Sequence, residues 1–216
     1  MNHAATHTPL PSTSGRDGSP SRPQAHAASP AAPLPLVPPA PPCAGNRRPR
    51  ARLPIFTAAT PDDIDELASN LRPADAIELT IASGLTPAEG ILQSVRCSDC
   101  SFAARLRPCA PLHCIFGIRA ASLLDRSAYV WMLGTRAIDA DPIAFARHSR
   151  RGLALAAQSL PWAEIFTNIV HEQHHAAIRW LAWLSATFHP AVRIPQPDGS
   201  AAPFLPFTIE RSAICA

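Results

Sequence analysis

Proline divides this 216-residue chain into two parts of different character. Residues 1–52 hold 12 of the 25 prolines, together with many Ala and Ser and few large apolar residues. Proline fixes φ and supplies no backbone N–H, and a segment with so little apolar surface cannot offset the entropy lost on ordering. The sequence therefore predicts a disordered Pro/Ala/Arg-rich tail over 1–52 and a folded domain over 53–216.

Charge separates the same two parts. The tail carries six arginines and one acid, whereas 53–216 carries 13 arginines and 15 acids, a net charge of −2. That balance does not predict a basic nucleic-acid-binding domain. Within the tail, four clustered arginines are candidates for a weak contact with nucleic acid: Arg47, Arg48, Arg50 and Arg52. The sequence contains no lysine, which excludes P-loop NTPases and lysine Schiff-base chemistry.

Neither a membrane span nor a secretory signal is expected. No run of about 18 apolar residues occurs. The opening residues, MNHAATHTPLPSTSG, lack a basic segment followed by an apolar one. We therefore expect a reducing compartment, in which the six cysteines form no disulfides.

Helix-start signals and short apolar runs alternate after Leu53. Thr60-Pro61-Asp62-Asp63 and Thr86-Pro87-Ala88-Glu89 each place a capping Thr before Pro and an acid. The pattern predicts a strand at 53–58, three helices, three strands in a meander, a helix at 142–158, a strand at 165–170, a helix at 173–186 and two closing strands. A meander followed by a β-α-β unit predicts an α+β fold with a mixed, mostly antiparallel sheet flanked by helices.

Several short runs carry a resemblance to known proteins. They are Thr167-Asn168-Ile169-Val170, Ile178-Arg179-Trp180-Leu181, Phe188-His189, Phe204-Leu205-Pro206-Phe207-Thr208-Ile209, Ile115-Phe116-Gly117-Ile118 and Trp131-Met132-Leu133-Gly134-Thr135. The order of elements resembles the GNAT superfamily of N-acetyltransferases. The runs, over about 54–210, resemble the acetyltransferase-like internal virion protein of short-tailed phages.

This resemblance implies a GNAT-like domain over 53–216 in a phage or prophage protein. Such a protein lies in the virion or the host cytoplasm. It acts in virion assembly or DNA delivery through contacts with other phage structural proteins or host proteins.

The resemblance also identifies the places where a GNAT enzyme holds acetyl-CoA. The diphosphate binds backbone amides of the loop after the fourth strand, which carries the signature Gln/Arg-x-x-Gly-x-Gly/Ala. That loop is 134–142 here; it has one glycine, and it places Asp139 and Asp141 where the diphosphate would approach. The resemblance makes five residues cofactor-binding candidates: Leu133, Gly134, Thr135, Arg136 and His174.

The second GNAT signature departs from the family pattern as well. The Tyr that often acts as general acid corresponds to Leu181, which cannot donate a proton. These departures favour a scaffold with no catalytic residue and no cofactor. The alternative is an acyl-CoA-dependent N-acetyltransferase that binds acetyl-CoA through a divergent loop.

A third reading comes from His171-Glu172-Gln173-His174-His175, which matches HExxH. A zinc hydrolase would use His171 and His175 as ligands and Glu172 as base, on one continuous helix. Because 166–170 predicts a strand, no metal is expected here.

Cysteines 97–114 are interpreted as small buried apolar residues rather than zinc ligands. Three tryptophans are predicted to fill the core or a flank of the sheet, with the core as the default: Trp131, Trp180 and Trp183. Trp180 is alternatively a residue that lines a groove.

Overall fold

The computed structural model describes residues 54–196 and 198–214, so the tail and its arginines Arg47, Arg48, Arg50 and Arg52 lie outside the described residues. The helices within those ranges are α1 (Pro61–Asn70), α2 (Pro73–Ser83), α3 (Pro87–Arg96), α4 (Ala137–Ala140), α5 (Pro142–Ser159), α6 (His175–Trp183) and α7 (Arg211–Ile214). The strands are β1 (Ile55–Ala58), β2 (Cys100–Arg105), β3 (Cys114–Ser122), β4 (Ser127–Gly134), β5 (Ile165–His171), β6 (Thr187–Phe188), β7 (Val192–Pro195) and β8 (Ala201–Glu210).

Capping residues explain where the first helices begin. Thr60 and Thr86 accept a hydrogen bond from the amide three residues later, and Asp63 and Glu89 bond back to the Thr amides. Each helix then starts with proline, whose missing N–H is not needed at that position. Gly84, with φ of 70°, ends α2 in the left-handed conformation that glycine adopts at little cost.

One mixed sheet connects the strands in the order β1-β2-β3-β4-β5-β8-β6, with β7 also paired to β8. Every neighbouring pair is antiparallel except β4 and β5. The parallel pair needs a crossover connection, which α5 supplies. The predicted meander, β-α-β unit and α+β fold class are confirmed.

Side chains alternate between two cores because successive residues of a strand point to opposite faces. Ala104, Phe116 and Val130 lie in the core that also contains α5 and α6 residues. Ala103 and Ile115 lie in the core that also contains Leu67 of α1 and Ile91 of α3. The sheet thus separates an α1–α3 layer from an α5–α6 layer.

Some elements differ from the sequence prediction. The helix expected at 173–186 is shorter, because His174 adopts a non-helical conformation before α6 and Ser185 has a φ of 69° after it. The two one-turn helices α4 and α7 and the two-residue strand β6 carry no periodic signal and were not predicted. Across the described ranges, no helix combines the length and the apolar character needed to cross a membrane.

Candidate functional site

The centre of the sheet is open, because β4 and β5 separate after a short contact. They are paired at three positions: Ser127 with Ile165, Ala128 with Phe166, and Tyr129 with Thr167. At the next position the Asn168 side-chain nitrogen donates to the Val130 carbonyl over 2.8 Å. A side chain therefore replaces the ladder bond at the point where the two strands diverge.

A partly enclosed cavity of about 330 Å³ lies at this opening. Strands β4, β5 and β8 and helices α5 and α6 contribute to its walls, which are largely apolar: Val130, Met132, Leu153, Val170, Leu181 and Phe207. The volume is within the range of small-molecule pockets, about 300–1,000 Å³. The opening therefore has room for a small ligand with an apolar body.

Two carboxylates of α2, Asp75 and Glu78, connect the ends of the separated strands; we call them the α2 carboxylate pair. Asp75 Oδ2 accepts a hydrogen bond from the Gly134 amide at the end of β4 over 2.7 Å. Glu78 Oε1 accepts one from the His171 amide at the end of β5 over 3.1 Å. Because the two side chains are one helical turn apart, a single helix face spans the gap.

Arg72 and His174 complete this polar cluster. The Arg72 guanidinium donates to both carboxylate oxygens of Asp75, at 2.8 and 3.2 Å. His174 Nδ1 is hydrogen-bonded to Glu78 Oε2, and its Nε2 lies 3.7 Å from Asp75 Oδ1. Both carboxylates thus already have partners within the chain, and neither is aimed at the cavity as an unoccupied base.

Burial controls the ionisation of two groups at this site. It raises the pKa of Asp75 above its ordinary value, against the opposing effects of Arg72, the Gly134 amide and His174. Burial also raises the pKa of the Cys114 thiol, which lines the cavity, to about 12. Since the thiolate is the nucleophilic form, Cys114 is inert at neutral pH.

The loop between β4 and α5 uses its backbone amides for internal hydrogen bonds. They are Gly134 N to Asp75 Oδ2 (2.7 Å), Thr135 N to His113 O (2.8 Å), Arg136 N to Asn70 O (3.1 Å), Ala137 N to Thr135 Oγ1 (3.2 Å), Ile138 N to Thr135 O (3.1 Å), Asp139 N to Arg136 O (3.1 Å), Asp141 N to Ile138 O (3.2 Å) and Ala144 N to Asp141 Oδ1 (3.1 Å). As the loop is arranged, none of these eight amides is available to a diphosphate.

The two loop acids differ in what they do. Asp141 is the N-cap of α5, so its carboxylate already lies at the helix end where an anion would bind. Asp139 has an exposed side chain, 4.0 Å from Arg72. An incoming diphosphate would meet both negative charges before reaching the helix.

The five cofactor-binding candidates are divided between different surroundings. Leu133 packs in the α1–α3 layer, and Gly134 and Thr135 are buried, with the Thr135 hydroxyl bonded to the Leu112 carbonyl. The Arg136 residue is exposed, while His174 lies across the opening with the α2 carboxylate pair. Their role toward a cofactor stays a prediction.

The residues of the HExxH pattern occupy two elements. His171 is the last residue of β5 and is buried against Phe204, whereas His175 is exposed at the start of α6. The single helix that a zinc hydrolase would require does not exist across this segment. Within 54–196 and 198–214, no three His, Cys, Asp or Glu side chains are grouped so that they could hold a metal ion.

Two expectations about buried residues were wrong in part. Cys114 is buried and Cys100 is half-buried, but Cys97 and Cys109 are exposed, because the first ends α3 and the second lies in the turn before β3. Trp131 and Trp180 are partly buried and pack against the cores, as predicted. Trp183 is 44% exposed, although Leu181 in the same turn of α6 is buried.

Sequence reasoning missed Arg72, Asp75, Glu78 and Asn168. The acids of the α2 carboxylate pair are three residues apart in an otherwise apolar helix, and this was the only local signal available. Their partners are far along the chain: Gly134 is 59 positions after Asp75, and His171 is 93 positions after Glu78. Helix periodicity alone does not identify such partners.

Comparison with known proteins gives matches at the level of structure. No protein-family model matches the sequence, and no curated protein sequence matches it. A spermidine N-acetyltransferase from Vibrio cholerae, solved in complex with CoA and spermine, matches with a TM-score of 0.58 and 10% identity, covering 76% of this chain and 98% of that chain. An N-acetyltransferase from Staphylococcus aureus Mu50 matches with a TM-score of 0.55 and 10% identity, covering 73% and 98%.

At such low identity the similarity concerns the fold alone. The resemblance to phage internal virion proteins stays a prediction. The mostly antiparallel sheet with one parallel pair agrees with the fold expected from the sequence. The described part of this chain has the fold of the GNAT acetyltransferases.

Proposed function

We propose that this chain is a phage- or prophage-encoded protein that keeps the GNAT fold without acetyl transfer. It acts through contacts with other phage structural proteins or host proteins, in virion assembly or DNA delivery. No cofactor takes part in this role. The resemblance of residues 54–210 to the internal virion proteins supports the phage context, and the geometry of the loop after β4 supports the loss of turnover.

The observation that carries the proposal is the use of the loop amides. Acetyl-CoA binding to this fold depends on amides that are free to meet its diphosphate, whereas eight amides between Gly134 and Ala144 are already bonded within the chain. Asp141 supplies the anion at the start of α5. The residues present therefore do not fit the group that GNAT chemistry requires.

A calorimetric titration of acetyl-CoA into the full chain tests the loss of cofactor binding. We expect no saturable heat, and no rise in Tm, up to about 1 mM acetyl-CoA, which is the upper end of ordinary enzyme KM values. The matched variant Asp139→Asn/Asp141→Asn removes both charges but keeps a capping side chain. It should also fail to bind, because the amides stay occupied; saturable binding by the unmodified chain would contradict the proposal.

Particle composition tests the proposed context. A phage carrying an epitope-tagged copy of this gene is purified on a density gradient, and the fractions are probed for the tag and for a major capsid protein. We expect the tagged chain to sediment with intact particles after nuclease and salt washes. A chain found only in the unsedimented fraction, with normal infectivity when the gene is deleted, would exclude a virion role.

One observation favours the alternative, an acyl-CoA-dependent N-acetyltransferase. The cavity opens where β4 and β5 separate, and a histidine and two carboxylates lie at one end of it. Release of CoA thiol from acetyl-CoA, followed with a thiol reagent and spermidine as a probe amine, separates the two functions. Turnover above the rate without protein would favour the enzyme.

A further inference from the structure

The small net charge of the folded part hides a separation of charge across the sheet. Helices α1, α2 and α3 together carry seven acids and one arginine. Helices α5 and α6, on the opposite face, carry four arginines and no acid: Arg147, Arg150, Arg151 and Arg179. A charge summed over the whole domain therefore says little about what either face can bind.

Three of these arginines form a group on α5. Arg147, Arg150 and Arg151 are spaced i, i+3 and i+4, which places them as neighbours on one side of the helix, and all three are exposed. We call these residues the α5 arginine group. Across the ranges that the structure describes, no carboxylate lies within ion-pair distance of any of them.

The lowered pKa of His148, a neighbour of these arginines, supports a positive electrostatic potential at this surface. His148 lies between the arginines, and its pKa is lowered by burial and, in addition, by the charges of Arg151 and Arg147. Asp141, at the start of the helix, opposes this effect. The nearby acid therefore does not cancel the charges of the α5 arginine group.

An exposed aromatic residue adjoins the α5 arginine group. The Arg150 guanidinium lies 4.7 Å from the ring centroid of Trp183 and donates to the Trp183 carbonyl over 2.9 Å. The Trp180 indole of α6 donates to Ser149 Oγ over 2.9 Å. These contacts hold α5 and α6 side by side, so the arginines and the exposed ring belong to one continuous surface.

We propose that the α5–α6 surface, made by the α5 arginine group with Trp183, binds the phosphate backbone of DNA. Guanidinium groups donate in a planar fork that matches phosphate oxygens, and they stay charged at every physiological pH. An exposed Trp beside them offers an apolar surface to the sugars of the backbone. The contact is not specific for DNA sequence, because the arginines bind phosphate groups of the backbone and make no contact with base edges.

The composition of this surface favours nucleic acid over an acidic protein. Arg and Trp are common in protein interfaces as well, but the fully buried centre of such an interface is depleted in charged residues as a whole and contains apolar anchors. Here the centre is occupied by three cations, and the large apolar side chains exposed on α5 and α6 are Ile143 and Trp183. This inference concerns DNA contact, and it holds whether or not the chain transfers acetyl groups.

Fluorescence anisotropy of the full chain with a labelled 20-base-pair duplex of arbitrary sequence tests the proposal at several salt concentrations. The test variant is Arg147→Gln/Arg151→Gln, which leaves the Arg150 contact with Trp183 intact. We expect its affinity at low salt to fall at least about fivefold and the slope of log K against log salt to shrink by about 1.8, since each phosphate contact contributes about 0.9.

The matched control is Arg96→Gln/Arg119→Gln, which removes two exposed arginines from other parts of the surface and lowers the net charge equally. It should bind DNA almost as well as the unmodified chain, and circular dichroism should show all three proteins folded. An unchanged salt slope in the test variant would assign DNA binding to residues elsewhere and overturn the proposal. An equal loss of DNA affinity in both variants would also overturn it. So would a competition experiment in which polyglutamate, at the same concentration of charge, displaces the DNA.

Discussion

At the scale of single residues, Asp75 joins helix α2 to the end of strand β4 through its carboxylate. Its carboxylate is 3% exposed, and it accepts hydrogen bonds from the Arg72 side chain and from the Gly134 amide. Removing it leaves a largely buried guanidinium and a buried backbone donor without their partner. Its loss should therefore cost far more free energy than the loss of a surface acid.

We expect Asp75→Ala to lower the free energy of unfolding by about 3 kcal/mol, the usual cost of breaking one side of a buried ion pair. Asp65→Ala, at an exposed position of the neighbouring helix, should change it by less than about 0.5 kcal/mol. Urea denaturation followed by circular dichroism measures both. A similar effect of the two substitutions would mean that the Asp75 hydrogen bonds do not hold β4 to α2.

The pKa of Asp63 predicts how the free energy of unfolding depends on pH. Burial acts to raise its pKa, but hydrogen bonds from Thr60 and the Arg105 guanidinium outweigh it, so the pKa is lowered from its ordinary 3.8. A carboxylate with a lowered folded pKa contributes stability that is complete above its ordinary pKa and is lost as pH falls through the folded value. The stability gap between the unmodified chain and Asp63→Asn should therefore be constant from pH 7 to 5 and shrink below 3.8. A gap that is equally large at pH 2.5 would rule this out.

At the scale of elements, α5 depends on its cap because Asp141 bonds the amide of Ala144. We expect Asp141→Ala to lower the free energy of unfolding by about 1 kcal/mol and Asp141→Ser, which keeps a capping oxygen, by no more than a few tenths. Chemical denaturation of the two variants measures the difference. Equal stability of Ala and Ser at this position would show that the carboxylate does not serve as a cap.

The same scale shows what the sequence could and could not predict. Thr-Pro-acid patterns and apolar periodicity are local, so they predicted α1, α3, the meander and the crossover helix. The start of α6 depends on His174, which is bonded to Glu78 96 residues earlier in the chain, and local periodicity extended that helix by two residues too many at this end. The opening between β4 and β5 depends on the Asn168 side chain, which replaces a backbone hydrogen bond of the ladder. The apolar pattern of a strand does not predict such a replacement. The loop acids were predicted, whereas the α2 carboxylate pair opposite them was not.

At the scale of the whole molecule, the cavity at the opening predicts a response to small apolar compounds. Apolar cavities less than half this size stay dry and bind benzene. Since binding to the native state alone raises stability, benzene should raise the Tm of the full chain in a saturable way. Ala177→Leu, which adds volume at a half-buried position on the cavity wall, should reduce that rise. A Tm insensitive to benzene in the unmodified chain would mean that the cavity closes in solution.

The short pairing of β4 with β5 also has a mechanical consequence. Residues 54–134 build the leaf β1 to β4 and residues 165–210 build the leaf β5 to β8, so each leaf is continuous in sequence. Along their common edge the leaves are joined by three paired backbone positions, by the Asn168–Val130 hydrogen bond and by the α2 carboxylate pair. Separation of the leaves at this edge would leave the strand pairings within each leaf intact. Each half of the sheet is thus a continuous length of chain, and, among the strands that the structure describes, none of one half is interleaved with strands of the other.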